Sequence, residues 1–139
     1  MKTITSYITT ILLCTCMAVF VSCNSNDDPM TAQKQMVADE LTSLYQGSID
    51  DFISHADYGD FDLTDSVRYA IVHEALAAFV QGINATDGGF DRIEATSAEL
   101  TSDSTAFVYY DLYFKNGSVQ SHSQKIQLRN GQWQLRVKE

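Results

Sequence analysis

The sequence predicts a single α+β domain, with N-terminal helices packed on a curved, antiparallel four-stranded meander. Three observations carry that expectation. Apolar residues between Met30 and Ile83 recur at helical spacing. After Gly89 the pattern turns to runs rich in β-branched and aromatic residues. Two dipeptides, Asn116-Gly117 and Asn130-Gly131, sit between those runs, and Asn-Gly is the strongest short-range hairpin signal. Helices first and strands after segregate the two kinds of element, as in an α+β domain with its helices on one sheet face. A chain of 139 residues fits one domain, and 45% hydrophobic content is too high for a disordered one.

Each element has its own signal. Over residues 30–45, Met36, Val37, Leu41, Leu44 and Tyr45 form an apolar stripe, and Gly47 closes the helix. Ser48, with Asp51 three residues on, has the form of a capping box and starts a short helix carrying Ile49, Phe52 and Ile53. Residues 55–62 read as a loop. Asp62 or Thr64 can cap a third helix over 65–83. Its Ile71, Ala75, Leu76, Ala78, Phe79, Val80 and Ile83 predict a broad buried face. Strands are expected near 91–101, 104–115, 118–129 and 132–138.

Two-residue turns at both Asn-Gly sites would fix the register. Lys115 then pairs with Ser118, and Arg129 with Gln132. One sheet face collects Phe107, Ile126, Leu128, Trp133, Leu135 and Val137, with Trp133 buried opposite Leu128 against the helices. The same face continues into a polar end, with Tyr109 opposite Gln124, Asp111 opposite His122 and Tyr113 opposite Gln120. Leu112, Phe114 and Val119 fall on the other side. That calls for a bulge that flips the parity, or for an apolar outer patch.

Asp111 and His122 are the candidate catalytic pair, because a carboxylate beside an imidazole suits general acid–base work. The plainer reading of the same pair is a structural cross-strand contact, and it stands ahead of catalysis. Tyr109 and Tyr113 on that face, with Tyr69 and His73 on the third helix, are the candidate ligand-binding side chains. Plain alternatives are core aromatics and a helix-surface histidine. His55, Asp57, Asp60 and Asp62 surround Tyr58-Gly59, but their spacing is not that of an EF-hand, and a loop that caps a helix is the simpler reading. No metal and no cofactor is expected. The sequence has no phosphate-binding glycine loop, zinc spacing or dinucleotide fingerprint. Nine basic against 18 acidic residues give a net charge of −9, which argues against a nucleic-acid partner.

The N-terminus reads as an address. Lys2 precedes an uncharged, mostly apolar run over residues 8–21, about 14 residues and too short to span a bilayer comfortably. Phe20-Val21-Ser22-Cys23 resembles a bacterial lipobox, with Phe20 where Leu or Val is usual. The resemblance implies a lipoprotein signal peptide over 1–22, lipidated Cys23 and a tether over 23–29, ahead of a domain over 30–139. It also implies a membrane partner through the lipid at Cys23, and an outer-membrane lipoprotein facing the periplasm or the cell surface. Ser25-Asn26-Asp27-Asp28 is similar to the surface-export signal of Bacteroidetes lipoproteins. Cys14 and Cys16 fall in the removed segment, so the mature domain is expected to hold no disulfide.

Val37-Ala38 through Leu44 and Gly47, Asp103 through Val108, Lys115-Asn116-Gly117 and Leu128 through Leu135 carry a wider resemblance. Over about residues 30–138 the chain resembles the NTF2-like, or cystatin-like, α+β cone, and within it small lipoproteins with a lumazine-binding-like domain. That superfamily includes isomerases and dehydratases as well as non-enzymatic modules, so the resemblance implies a fold rather than an activity. The leading expectation is an envelope-anchored, non-enzymatic binding or interaction module for a small apolar ligand or a partner protein. The alternative is a cone-pocket hydratase or isomerase using Asp111 and His122. A third is an inhibitor-like protein that blocks a partner by shape.

Overall fold

The computed structural model describes residues 28–137, so the expected signal segment, Cys23 and most of the tether lie outside the described residues. Asp28 organises the start. Its Oδ1 accepts from the Met30 amide at 2.9 Å, its carbonyl from Thr31 at 3.0 Å, and its Oδ2 pairs with Lys34 Nζ at 2.6 Å. Helix α1 (Thr31–Tyr45) follows and buries Val37, Leu41, Leu44 and Tyr45, the expected stripe. Gly47 ends it with φ +101°, donating its amide to the Leu44 carbonyl.

Helix α2 spans Ile49–His55. Ser48 is its N-cap residue but makes no side-chain cap bond; Asp50 and Asp51 in the first turn complement the helix dipole instead. Helix α3 (Ser66–Ala85) is capped by Asp65, whose side chain accepts from the Val67 and Arg68 amides. Asp62, an expected cap, turns its Oδ1 back to the Thr64 amide and hydroxyl.

Four strands, β1 (Phe90–Ser102), β2 (Thr105–Phe114), β3 (Val119–Arg129) and β4 (Gln132–Leu135), form an antiparallel meander in sequence order. Register breaks in β1 at Phe90/Arg92, Ala95/Ser97 and Leu100/Ser102 bend the sheet. The buried core of the described residues runs from Met30 to Leu135, so a fragment beginning at residue 24 carries all of it. None of the described helices is long and apolar enough to cross a membrane.

The second hairpin has the expected register, with Arg129 opposite Gln132 and Leu128 opposite Trp133. Asn130 (φ +51°) and Gly131 (φ +78°) both take positive φ, as a type I′ turn requires. The first hairpin does not have it. There Phe114 pairs with Ser118 through a backbone bond at 3.0 Å, Gly117 alone takes positive φ (+89°), and Lys115-Asn116-Gly117 is a three-residue loop. One added loop residue shifts every pairing between β2 and β3 and exchanges the faces of β2. Ala106, Val108, Tyr110, Leu112 and Phe114 therefore point into the core, where Ala106 meets Ile126. Phe107, Tyr109, Asp111 and Tyr113 move to the outer face. This removes the conflict over Leu112 and Phe114 in the expected register.

Helix α3 departs from expectation in a second way. Its broad apolar face is largely uncovered, and only Val80 is buried. Ile71 is 59% exposed and Phe79 50%. The helix rests on α1 and α2 along one edge, through Leu76, Val80 and Ile83. Trp133 is half-buried against the core rather than enclosed by it.

Candidate functional site

Loop residues 56–61 are fastened to the end of β4 through Asp57, by its backbone and by its carboxylate. The Asp57 amide donates to the Leu135 carbonyl at 2.7 Å, and the Val137 amide donates to the Asp57 carbonyl at 3.0 Å. Asp57 Oδ2 accepts from Arg136 Nη1 at 2.7 Å and from Arg129 Nε at 3.3 Å, while Oδ1 accepts from the Gly59 amide at 2.9 Å. Burial pushes the Asp57 carboxyl up, but the Gly59 amide and the two guanidiniums outweigh it, and the net shift is downward. Gly59 sits at φ +63°, and a Cβ there would lie 2.5 Å from Arg136 Nη2, so a side chain would be strained and would push the guanidinium off Asp57.

This lock holds Tyr58 and Phe61 against α3. Between them lies a groove of about 270 Å³, lined by Tyr58, Phe61, Ile71, Val72, Ala75, Leu76 and Val137. The Tyr58 hydroxyl is the one polar side-chain group in that lining. It is buried and has no hydrogen-bond partner. Burial pushes the Tyr58 phenol up to about 12, so it stays neutral. Arg68 lies over the Phe61 ring at 5.5 Å and stiffens the rim.

Next to the groove, Tyr69 and His73 converge on Asp50. The Tyr69 hydroxyl donates to Asp50 Oδ1, and His73 Nε2 lies 3.6 Å from the same oxygen. The bond to Asp50 raises the Tyr69 phenol. Of the four candidate ligand-binding side chains, Tyr69 and His73 thus belong to one cluster, tied together by a carboxylate the sequence reading had not singled out.

Tyr109 and Tyr113 do not join them. Both stand on the outer sheet face, Tyr109 40% exposed and Tyr113 beneath the Arg92 guanidinium at 3.9 Å. The Asp111–His122 pair is not formed. Asp111 lies opposite Ser121 and accepts from its hydroxyl at 2.6 Å; His122 lies opposite Tyr110 on the inner face and stacks on that ring at 5.7 Å. The three-residue loop is the cause, because it puts the two side chains on opposite faces.

On the inner face Tyr45 contacts Phe79, Phe90 and Tyr110, hydrogen-bonding the last through its phenol; burial raises both phenols. A second groove, of about 320 Å³, runs between α1, α2 and β4, where Ser54, His55, Glu40 and Trp133 meet. His55 Nδ1 is 3.4 Å from Glu40 Oε1, but Ser54 Oγ donates to the Asp51 carbonyl at 2.7 Å. The serine and histidine are not coupled.

Three helices on one side of an open four-stranded antiparallel meander match a solved structure. The described architecture aligns with a Campylobacter jejuni protein that carries the name NTF2-like transpeptidase, at a TM-score of 0.63 and 16% identity, over 76% of this chain and 98% of that one. The fold is NTF2-like. At that identity the likeness speaks for the fold alone. No protein-family model matches the sequence, and no curated protein matches it. In the NTF2-like domain, sequence reasoning missed the Tyr58–Phe61 groove, because its walls come from segments that only the Asp57 lock brings together. The usable signal was the excess of apolar residues on α3 over what one buried face needs.

Proposed function

We propose that the protein is an envelope-anchored, non-enzymatic binding module that uses the groove between α3 and loop residues 56–61. The observation that carries this reading is the groove's lining, six apolar side chains around a single unpartnered phenol. Concave, mostly apolar sites with few polar groups suit binding. The lipid anchor at Cys23 would hold the domain at the membrane through the segment before Asp28. The separation of Asp111 from His122 withdraws the support for a hydratase or isomerase. The solved structure's name raises acyl transfer, which needs a nucleophile held by a base. Ser54 and His55 line one groove, yet the Ser54 hydroxyl is committed to the Asp51 carbonyl.

The test is binding of an environment-sensitive apolar dye, Nile red, to residues 24–139. Saturable binding that Ile71→Asp weakens by about tenfold or more supports the reading. Ile71 is 59% exposed, so the variant keeps its core. Binding that is absent, or that the substitution leaves unchanged, rejects the groove as the site.

A further inference from the structure

Resting on that reading of the groove, we infer that its occupant is a basic amphipathic helix of a partner protein. Length is the first ground. The apolar stripe of α3 does not stop at the groove. Val67 (66% exposed), Ile71 (59%), Ala75, Ala78 and Phe79 (50%) share one outward side at intervals of three and four residues. From Val67 to Phe79 the stripe is about 18 Å long at ~1.5 Å per residue. A molecule that fills a cavity of about 270 Å³ leaves most of that stripe bare. A second helix laid along it would cover all of it, with Ala75 and Ala78 letting the backbones approach and Phe61, Tyr58 and Val137 forming the far wall.

Charge is the second ground, and it selects among helices. Exposed Asp60 and Asp62 flank Phe61, exposed Asp65 caps α3, and exposed Glu74 lies beside Ala75. Two cations border this side and both are engaged: Arg68 lies over Phe61, and Arg136, packed on Gly59, is paired with Asp57. A rim of four carboxylates around an uncharged stripe complements lysines or arginines on the flanks of an incoming helix. The same rim disfavours a second copy of this chain, which carries −9 and would set these carboxylates against themselves. It disfavours an anionic lipid surface for the same reason.

The experiment uses residues 24–139 and two labelled peptides of about 18 residues, each an amphipathic helix of leucine with one charged residue type. One carries lysine and the other glutamate. Fluorescence anisotropy is expected to show at least about tenfold tighter binding of the lysine peptide, weakening as salt screens the rim. Ile71→Asp should abolish that binding. Asp60→Lys with Glu74→Lys should weaken it by about tenfold while leaving Nile red binding intact, because neither side chain lines the groove.

Equal binding of the two peptides, or none of the lysine peptide, overturns the inference. If Nile red still binds and Ile71→Asp still weakens it, the groove reading survives that failure. Loss of both probes removes both. Sedimentation showing a dimer that Ile71→Asp dissociates would assign the stripe to a second copy and overturn the inference. Co-sedimentation with phosphatidylglycerol vesicles that depends on Ile71 would assign it to lipid, with the same result.

Discussion

Asp57 keeps its charge with only 8% of its surface exposed, because the Gly59 amide, Arg136 and Arg129 all donate to it. Its folded-state pKa is depressed, so the stability it contributes is fully present above the unfolded value of about 3.9 and is lost as pH falls through the folded value. Asp57→Asn keeps the shape and removes the charge. At pH 7 the variant is expected to be less stable by about 1–3 kcal/mol in denaturant melts, the worth of charge-assisted hydrogen bonds. The gap to the unaltered protein should narrow as the pH is lowered from about 4. A gap that stays constant from neutral pH to pH 3 would contradict this assignment. Nothing local in the sequence marks Asp57 for the role. Its neighbours suggested an acidic cap or ion-binding loop, whereas its partners are Arg129 and Arg136, far along the chain, and only the fold joins them.

Helix α3 is long enough to form but has few apolar contacts to hold it in place, since Val80 is its one buried residue. Local opening is easiest where buried apolar contacts are fewest. Hydrogen exchange should therefore find the amides of residues 69–79 less protected than those of Val37 through Tyr45 in α1, whose stripe is buried. Equal protection of the two helices would show that α3 is held by more than its edge. The sequence made the helix legible, because its period and its acidic cap are local signals. The covering of the helix was not legible, because an apolar stripe does not say whether the fold or something else buries it. The sheet teaches the same lesson. Both Asn-Gly sites announced hairpins, yet only Asn130-Gly131 is a two-residue turn. Loop length at Asn116-Gly117 depends on whether Lys115 pairs or turns, and one residue decides the face of every side chain in β2. A usable hint was present: Ala106, Val108, Tyr110, Leu112 and Phe114 form an uncharged set, whereas the alternate set contains Asp111. With the register went the candidate catalytic pair, while Tyr69 and His73 stack on each other because they stand four residues apart on one helix, a spacing the sequence already shows.

On the scale of the whole molecule, an acidic domain and its proposed anchor make separable contributions to where the protein sits. The described helices offer no membrane span, and the acidic surface is repelled by anionic headgroups. Two features could still retain the protein on a membrane: acyl chains at Cys23, and the bare apolar side of α3. Each buried methylene of an acyl chain is worth about 0.8 kcal/mol, so two or more chains hold firmly where a single surface helix with acidic flanks does not. Cys23→Ser is therefore expected to move the protein from the membrane fraction to the soluble fraction of fractionated cells. Ile71→Asp should leave it on the membrane. If Cys23→Ser remains membrane-bound and Ile71→Asp is released, α3 is the attachment and the lipobox reading fails. If Cys23→Ser stays bound even when combined with Ile71→Asp, attachment depends on neither feature and the lipobox reading fails.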